Sequence, residues 1–312
     1  MRLTECAKLL QGKLTGEDKA FSSVSIDTRT LQAGDLYVAI KGERFDGNDF
    51  VDQASERGAL AAVVRPGVRT KIPTIEVADT HRALAEIGGA WRKKVSTKVV
   101  GVTGSNGKTT VKEMVAAVLA TNGEVLYTKG NLNNDIGVPL TLLRLDEQHR
   151  YAVIEMGANH PGEIAYTAAF AVPNVSIITN AGPAHIEGFG SVEGVAKAKG
   201  ELFAALPEDG VAIVNRDDIF FEYWRSVVDG RRLISFGLRD DSDVTAAEIK
   251  TGIIENQFAT TFTLLAAAGS AQCHLQLAGR HNVVNALAAA AAGLAVGLNL
   301  EQIVKGLREV KP

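Results

Sequence analysis

From Thr97 onward, short apolar runs alternate with stretches whose apolar residues recur at helical spacing. The pattern predicts strands at 98–103, 124–128, 151–156, 175–180 and 211–214, with helices at 108–121, 137–144, 161–169 and 191–206 between them. Such alternation implies a mostly parallel sheet flanked by helices on both faces. Segments near 243–248, 258–265 and 272–277 read as strands without intervening helices, so a small antiparallel sheet is expected to be appended. Helices at 281–297 and 300–309 finish the chain. Residues 1–80 have a different texture: strands at 24–26, 35–40, 61–64 and 74–77 and a helix from Asn48 to Arg57, which together make a small α/β module. Residues 80–95 have helical periodicity and end in Arg92-Lys93-Lys94, cations that suit a helix C-terminus, and are read as a linking helix. The expected fold class is therefore α/β, with domains at 1–80 and 81–312.

Composition narrows the partners. With 46% hydrophobic and 22% charged residues in 312, the chain reads as well cored, and a net charge of −3 gives no electrostatic case for nucleic acid. Two cysteines, Cys6 and Cys273, are too few for a disulfide framework or a cysteine-rich metal site and suit a reducing compartment. No charged-then-apolar leader precedes Leu3, and the most apolar stretch, 286–298, falls short of the ~20 residues a spanning helix needs. A cytoplasmic monomer without membrane insertion is expected.

The most informative ten residues are Gly101 to Thr110, GVTGSNGKTT. The usual phosphate-loop pattern wants glycine where Val102 stands; here the glycines fall at 101, 104 and 107. The context is nevertheless the one such a loop requires, a buried strand running through a glycine turn into a helix. Backbone N–H groups of Gly104, Ser105, Asn106 and Gly107, with those opening the helix, can surround an anion; Lys108 can reach outer phosphates, and Thr109 or Thr110 can hold Mg²⁺. The second domain thus reads as a P-loop ATPase-like sheet that handles a nucleoside triphosphate.

Other chemistry gathers at strand ends. Glu155 closes the strand YAVIEM at the sheet edge where open α/β folds bind ligands, and a carboxylate there can hold Mg²⁺ or be a solvated strand end. His185 follows the next strand, through Asn180-Ala181-Gly182-Pro183-Ala184, and is a candidate for metal or phosphate contact. Lys197 and Lys199 lie on the following helix, where spacing alone leaves them as two solvated lysines. Asn282 and Asn285, three apart at the start of the alanine-rich helix, share a face, and asparagine can donate and accept at once as an adenine edge requires. Capping is the plain alternative for Asn282 and explains Asn285 poorly.

Taken in chain order, these pieces resemble the Mur ligase family, ATP-dependent enzymes that add amino acids to the peptide of the bacterial cell-wall precursor. The resemblance runs from about Ser22 to Pro312 and rests on GNLNNDIGVP at 130–139, EMGANHPGEI at 155–164 and AKAKGE at 196–201. These segments are most similar to the members that join D-alanyl-D-alanine to UDP-N-acetylmuramoyl-tripeptide. The resemblance implies that the peptide carboxylate attacks the γ-phosphate of ATP and that the amine then displaces phosphate from the acyl phosphate. It further implies that Lys108 stabilises the moving phosphoryl group and that Thr109, Glu155 and His185 serve Mg²⁺. Lys199 is expected as a carbamate, with Lys197 second, because reaction with CO₂ turns a repelled +1 into a −1 with two oxygen ligands. Asn282 and Asn285 are implied to contact adenine. Ser25, Asp27, Thr28 and Arg29, with Lys41 and Asp46, are implied to hold the UDP-sugar, while an Asp27–Arg29 pair also fits a plain structural turn. Asn134 is expected at the substrate.

Relatives of this kind carry a third domain beyond the region matched here, so a fragment ending at Pro312 is expected to keep affinity for the UDP substrate and to ligate poorly. The rival readings are another Mur ligase, a folylpolyglutamate synthase-like ligase, which should lack the UDP-sugar module, and a nonenzymatic nucleotide-binding module.

Overall fold

The computed structural model describes residues 1–184, 186–254 and 257–311. The chain divides into two compact units, Met1–Lys94 and Val95–Pro312. In the first, α1 (Leu3–Leu9) is followed by β1 (Lys13–Thr15), β2 (Val24–Ser25), β3 (Leu36–Val38), a short tight helical turn (Gly47–Phe50), α2 (Val51–Glu56), β4 (Ala61–Val64), β5 (Thr74–Glu76) and α3 (Thr80–Arg92). The sheet order is β1-β5-β4-β3-β2; β2 to β5 run parallel, and only β1 is antiparallel. The helix read as a linker, α3, packs on β3 and β4 inside this unit, so the unit ends near Lys94 and not at residue 80. Its apolar positions, Ala83, Leu84, Ala85 and Ile87, are buried, which explains why it belongs to the unit's core.

The second unit runs β6 (Lys98–Thr103), α4 (Lys108–Ala120), β7 (Glu124–Tyr127), α5 (Gly137–Leu142), β8 (His149–Glu155), α6 (Glu163–Ala171), β9 (Val175–Ile178), α7 (Ile186–Phe189), α8 (Val192–Ala204), β10 (Val211–Asn215), α9 (Phe221–Val228), β11 (Arg232–Phe236), β12 (Val244–Ile254), β13 (Gln257–Ala266), β14 (Gly269–Leu275), α10 (Arg280–Ala295) and α11 (Leu300–Arg308). One nine-stranded sheet results, in the order β14-β13-β12-β11-β10-β9-β6-β8-β7. Strands β7 to β12 pair in parallel, whereas β12-β13-β14 are antiparallel and continue the same sheet. The antiparallel strands expected as an appendage are thus an extension of the main sheet. Hairpin pairing needs no helix between them.

Alternation within a strand shows how both faces are covered. On β10, Val211 and Ile213 join the core beneath α4, α10 and α11, while Ala212 and Val214 join Phe203, Phe221 and Trp224 of α8 and α9. Helices on both faces explain why every residue of β10 is buried. Ala286 to Ala292 of α10 are fully buried, as the alanine-rich stretch predicts for a core helix. Among the described residues no helix is long and apolar enough to cross a membrane.

Strand order also positions the site. After β6 the chain builds β8 and β7 to one side, then returns to place β9 on the other. The carboxyl end of β6 is therefore the point where connections diverge, and open α/β sheets bind ligands in the crevice left there.

Candidate functional site

The turn leaving β6 is made by two glycines that no other residue can replace without strain. Gly104 has φ +149°, and a side chain there would run into the Thr179 hydroxyl; Gly107 has φ +78° and precedes the first turn of α4. No side chain caps that helix, so its first N–H groups are left for another acceptor. The end of β9 holds the turn in place. Ser105 N donates to Asn180 O (3.0 Å) and Asn106 N to Asn180 Oδ1 (3.0 Å), while Thr179 Oγ1 donates to Asn106 O (2.6 Å). Lys108 Nζ donates to Gly104 O at 2.8 Å, and burial pulls its pKa below the ordinary lysine value. An uncapped helix start, positive-φ glycines and a tethered lysine form a cradle that fits phosphate.

Glu155 closes β8 and is only 2% exposed. Its Oε2 accepts from Thr109 Oγ1 at 3.1 Å and lies 4.0 Å from Lys112 Nζ; its Oε1 accepts from Asn133 Nδ2 at 2.9 Å. Of the two threonines left open by the sequence, Thr109 therefore meets the carboxylate, and Thr110 has no hydrogen bond to it. Among the described residues there is no cluster of three or more His, Cys, Asp or Glu that could cage a metal. One carboxylate and one hydroxyl beside a phosphate cradle suit Mg²⁺, which keeps waters and takes substrate phosphate oxygens for the rest of its shell.

The two lysines of α8 separate cleanly. Lys197 is exposed, whereas Lys199 is 2% exposed, with Nζ 5.7 Å from the centre of the Phe189 ring. Burial, then repulsion from Lys108, pushes the Lys199 pKa down to about 8 against the opposing pull of Glu201 and Glu163. Ser191 caps α8 by accepting from Gly194 N, and Glu201 ties the helix to the start of α6, accepting from Gly162 N (2.7 Å) and Ala165 N (3.0 Å). His185 lies outside the described residues.

Asn285 on α10 reaches the cradle: a Cβ placed on Gly107 would stand 2.8 Å from its Oδ1. Its Nδ2 donates to Asn282 Oδ1 (3.3 Å), and Asn282 Nδ2 donates to Ala278 O (2.8 Å). Asn134 is used locally, its Oδ1 accepting from Gly137 N at 2.9 Å near the start of α5, while its neighbour Asn133 turns to Glu155. Asn133, Lys112, Thr179 and Asn180 are site neighbours that the sequence reading passed over. Asn133 sits in the GNLNND segment and Asn180 at a visible strand end, so position pointed to them, although which asparagine faces inward depends on the loop's path.

In the first unit the expected substrate residues gather at the carboxyl ends of adjacent strands. Asp27 and Arg29 form a forked ion pair after β2 (Nη2 to Oδ2, 2.6 Å), which holds the Asp27 carboxyl below its ordinary pKa. Ser25 Oγ donates to Asp27 O (3.1 Å), and Thr28 Oγ1 donates to Gln53 Oε1 (2.8 Å). After β3, the main chains of Lys41 and Asp46 bridge a tight bend, and the Asp46 carboxylate binds Arg65 at 2.9 Å.

Residues 102–293 match the family described as Mur ligase middle domain, and residues 20–92 match the one described as Mur ligase family, catalytic domain. The chain belongs to the Mur ligase family. It is 48% identical over 310 residues to UDP-N-acetylmuramoyl-tripeptide–D-alanyl-D-alanine ligase of Escherichia coli (strain K12), covering 99% of this chain and 68% of that protein. A crystal structure of MurF from Acinetobacter baumannii superposes with a TM-score of 0.93 at 39% identity, over 99% of this chain and 68% of that one. MurF ligase from Thermotoga maritima in complex with ADP superposes with a TM-score of 0.82 at 28% identity, over 93% of this chain and 66% of that one. This Mur ligase chain thus spans about two thirds of the length of these relatives, and its matched middle domain contains the glycine cradle, Glu155, Lys199 and Asn285.

Proposed function

We propose that this Mur ligase chain binds ATP in its second unit and a UDP-linked muramoyl tripeptide in its first, for ATP-driven amide formation with D-alanyl-D-alanine. The observation that carries the reading is the meeting of Lys108, Thr109 and Glu155 at the carboxyl edge of β6 and β8, beside a turn that β9 pins. The names of the similar ligases and the ADP in one of the similar structures support the same assignment.

In this reading the tripeptide carboxylate attacks the γ-phosphorus, ADP leaves, and the amine of D-alanyl-D-alanine displaces phosphate from the acyl phosphate. Little covalent work falls to the protein in phosphoryl transfer, so its residues act by position and charge. The N–H groups of residues 104–107 and the start of α4 hold the phosphates. Lys108 exchanges its bond to Gly104 O for one to the moving phosphoryl oxygens. Thr109 and Glu155 hold Mg²⁺, which when bound neutralises charge on the phosphate oxygens. Lys199 serves as the carbamate: its lowered pKa leaves a larger fraction of neutral amine near neutral pH, the form that adds to CO₂. Asn285, with Asn282 behind it, faces the adenine, and Ser25, Asp27, Thr28, Arg29, Lys41 and Asp46 hold the UDP-sugar. The protein acts in the cytoplasm.

The test is ADP binding by isothermal titration with Mg²⁺ present. Lys108→Ala should weaken it at least tenfold with the fold preserved by circular dichroism. Unchanged affinity in that variant would remove the cradle from the nucleotide site.

A further inference from the structure

Two polar side chains, one at the end of β10 and one just beyond it, grip the main chain on either side of Asn180. Asn215 is 6% exposed, and its Nδ2 donates to Thr179 O at 2.7 Å. Asp218 is half-buried, and its Oδ2 accepts from Ala181 N at 2.9 Å. A tight turn sets both, since Asn215 Oδ1 accepts from Asp217 N (2.9 Å) and Asp218 Oδ1 accepts from Phe220 N (2.9 Å). Burial raises the pKa of Asp218, so a carboxylate is kept where its charge is disfavoured.

The grip reaches the cradle through the tip of β9. Asn180 Nδ2 donates to Asn106 O at 3.0 Å, and the same carbonyl takes the Thr179 hydroxyl, so the peptide between Asn106 and Gly107 is pinned from one side. Because a trans peptide is planar, a carbonyl drawn towards β9 turns the next N–H, that of Gly107, the opposite way. Gly107 stands at the start of α4, where uncapped N–H groups await an anion. Yet Thr179 and Asn180 lie beyond the last ladder pairs of β9, which join Ile178 to Val214 on one side and to Thr103 on the other. The sheet alone does not place them; Asn215 and Asp218 supply the missing hold.

We infer that Asn215 and Asp218 are positioning residues of the nucleotide site, fixing the tip of β9 so that Thr179 and Asn180 shape the turn at 104–107 around the phosphates. Their side chains bond to residues 179 and 181 and act on the cradle only through them. This rests on the proposal that the cradle binds the nucleotide, and it extends the site by one strand.

The test measures ADP binding with Mg²⁺ by isothermal titration for the wild type, Asn215→Ala and Asp218→Asn. The amide in Asp218→Asn can accept from only one of Ala181 N and Phe220 N. Ser235→Ala is the control, because it removes a buried bond of the adjoining β11, Ser235 Oγ to Asp243 Oδ2 at 2.7 Å, away from the tip of β9. Asn215→Ala and Asp218→Asn should each weaken ADP about 3- to 30-fold, the range open to residues without ligand contact, whereas Ser235→Ala should lower the melting temperature and leave ADP affinity unchanged. In a Thr179→Val background, which lacks the hydroxyl on Asn106, Asn215→Ala should cost clearly less than it does alone. Melting curves check folding, and the two positioning variants are read independently, so one that fails to fold leaves the other decisive. Wild-type ADP affinity in both, equal weakening by Ser235→Ala, or effects that simply add to that of Thr179→Val would overturn the positioning role and leave the nucleotide assignment standing. Absence of ADP binding by the wild type would overturn both.

Discussion

Lys199 is a cation kept where a cation is disfavoured. Its pKa is about 8 in the folded chain, against 10.5 as the ordinary value, because burial and Lys108 oppose the charged form. The unfolded chain therefore binds more protons between pH 8 and 10.5, and stability rises with pH through that window. Below pH 8 the penalty is fully present, at most about 3 kcal/mol from the size of the shift. In CO₂-depleted buffer Lys199→Met should thus unfold at a higher denaturant concentration than wild type at pH 7, with the advantage shrinking as pH climbs towards 10. A difference that does not vary with pH would show that Lys199 is not held as a penalised ammonium. Single residues also mark what the sequence could and could not reveal. Lys108 and Glu155 were legible because a loop motif and a strand end fix their places. The choice between Lys197 and Lys199 rested on resemblance, since both lie on one helix, two residues apart, and only tertiary packing buries Lys199 and leaves Lys197 exposed. Asn133 escaped because its neighbour Asn134 is chemically identical and the turn alone decides which points to Glu155.

At the level of elements, the parallel strands and their helices were readable from alternating periodicity, whereas α1, β1, α9 and β11 were not. Strand β1 has three residues and alternates exposed with half-buried positions, so its sequence carries almost no apolar signal. Helix α9 has eight residues, and its buried Phe221, Trp224 and Val228 do show helical spacing, but over little more than two turns. The packing of α11 against α4 was equally hidden, because it depends on glycine making room. A Cβ on Gly306 would stand 2.7 Å from Ala117 O and 2.8 Å from Val118 N, main-chain atoms that cannot step aside as a side-chain tip can. Gly306→Ala should therefore destabilise the chain by ~1–3 kcal/mol, as overpacking usually does, and lower the urea midpoint without changing the slope. A variant as stable as wild type would mean that α11 can shift outward freely.

For the whole molecule, two units with separate sheets and separate candidate ligands make a spatially resolved prediction. A ligand that binds only the native state stabilises what it contacts by RT ln(1 + [L]/Kd), about 2.7 kcal/mol at a hundred times Kd, and slows hydrogen exchange most at the segments it orders. With ADP and Mg²⁺, exchange should slow at 104–110, where the cradle and the uncapped start of α4 lie, and at 282–285, where Asn285 abuts Gly107. With UDP, it should slow at 25–29 and 41–47, the strand ends of the first unit. The contrast matters because both ligands carry a diphosphate, and the cradle alone would accept either. On the proposed assignment, a surface of Met1–Lys94 that recognises the uridine draws UDP away from the cradle. If UDP instead protected 104–110 and left 41–47 unchanged, the division of labour between the units would be wrong even though the nucleotide cradle itself survived.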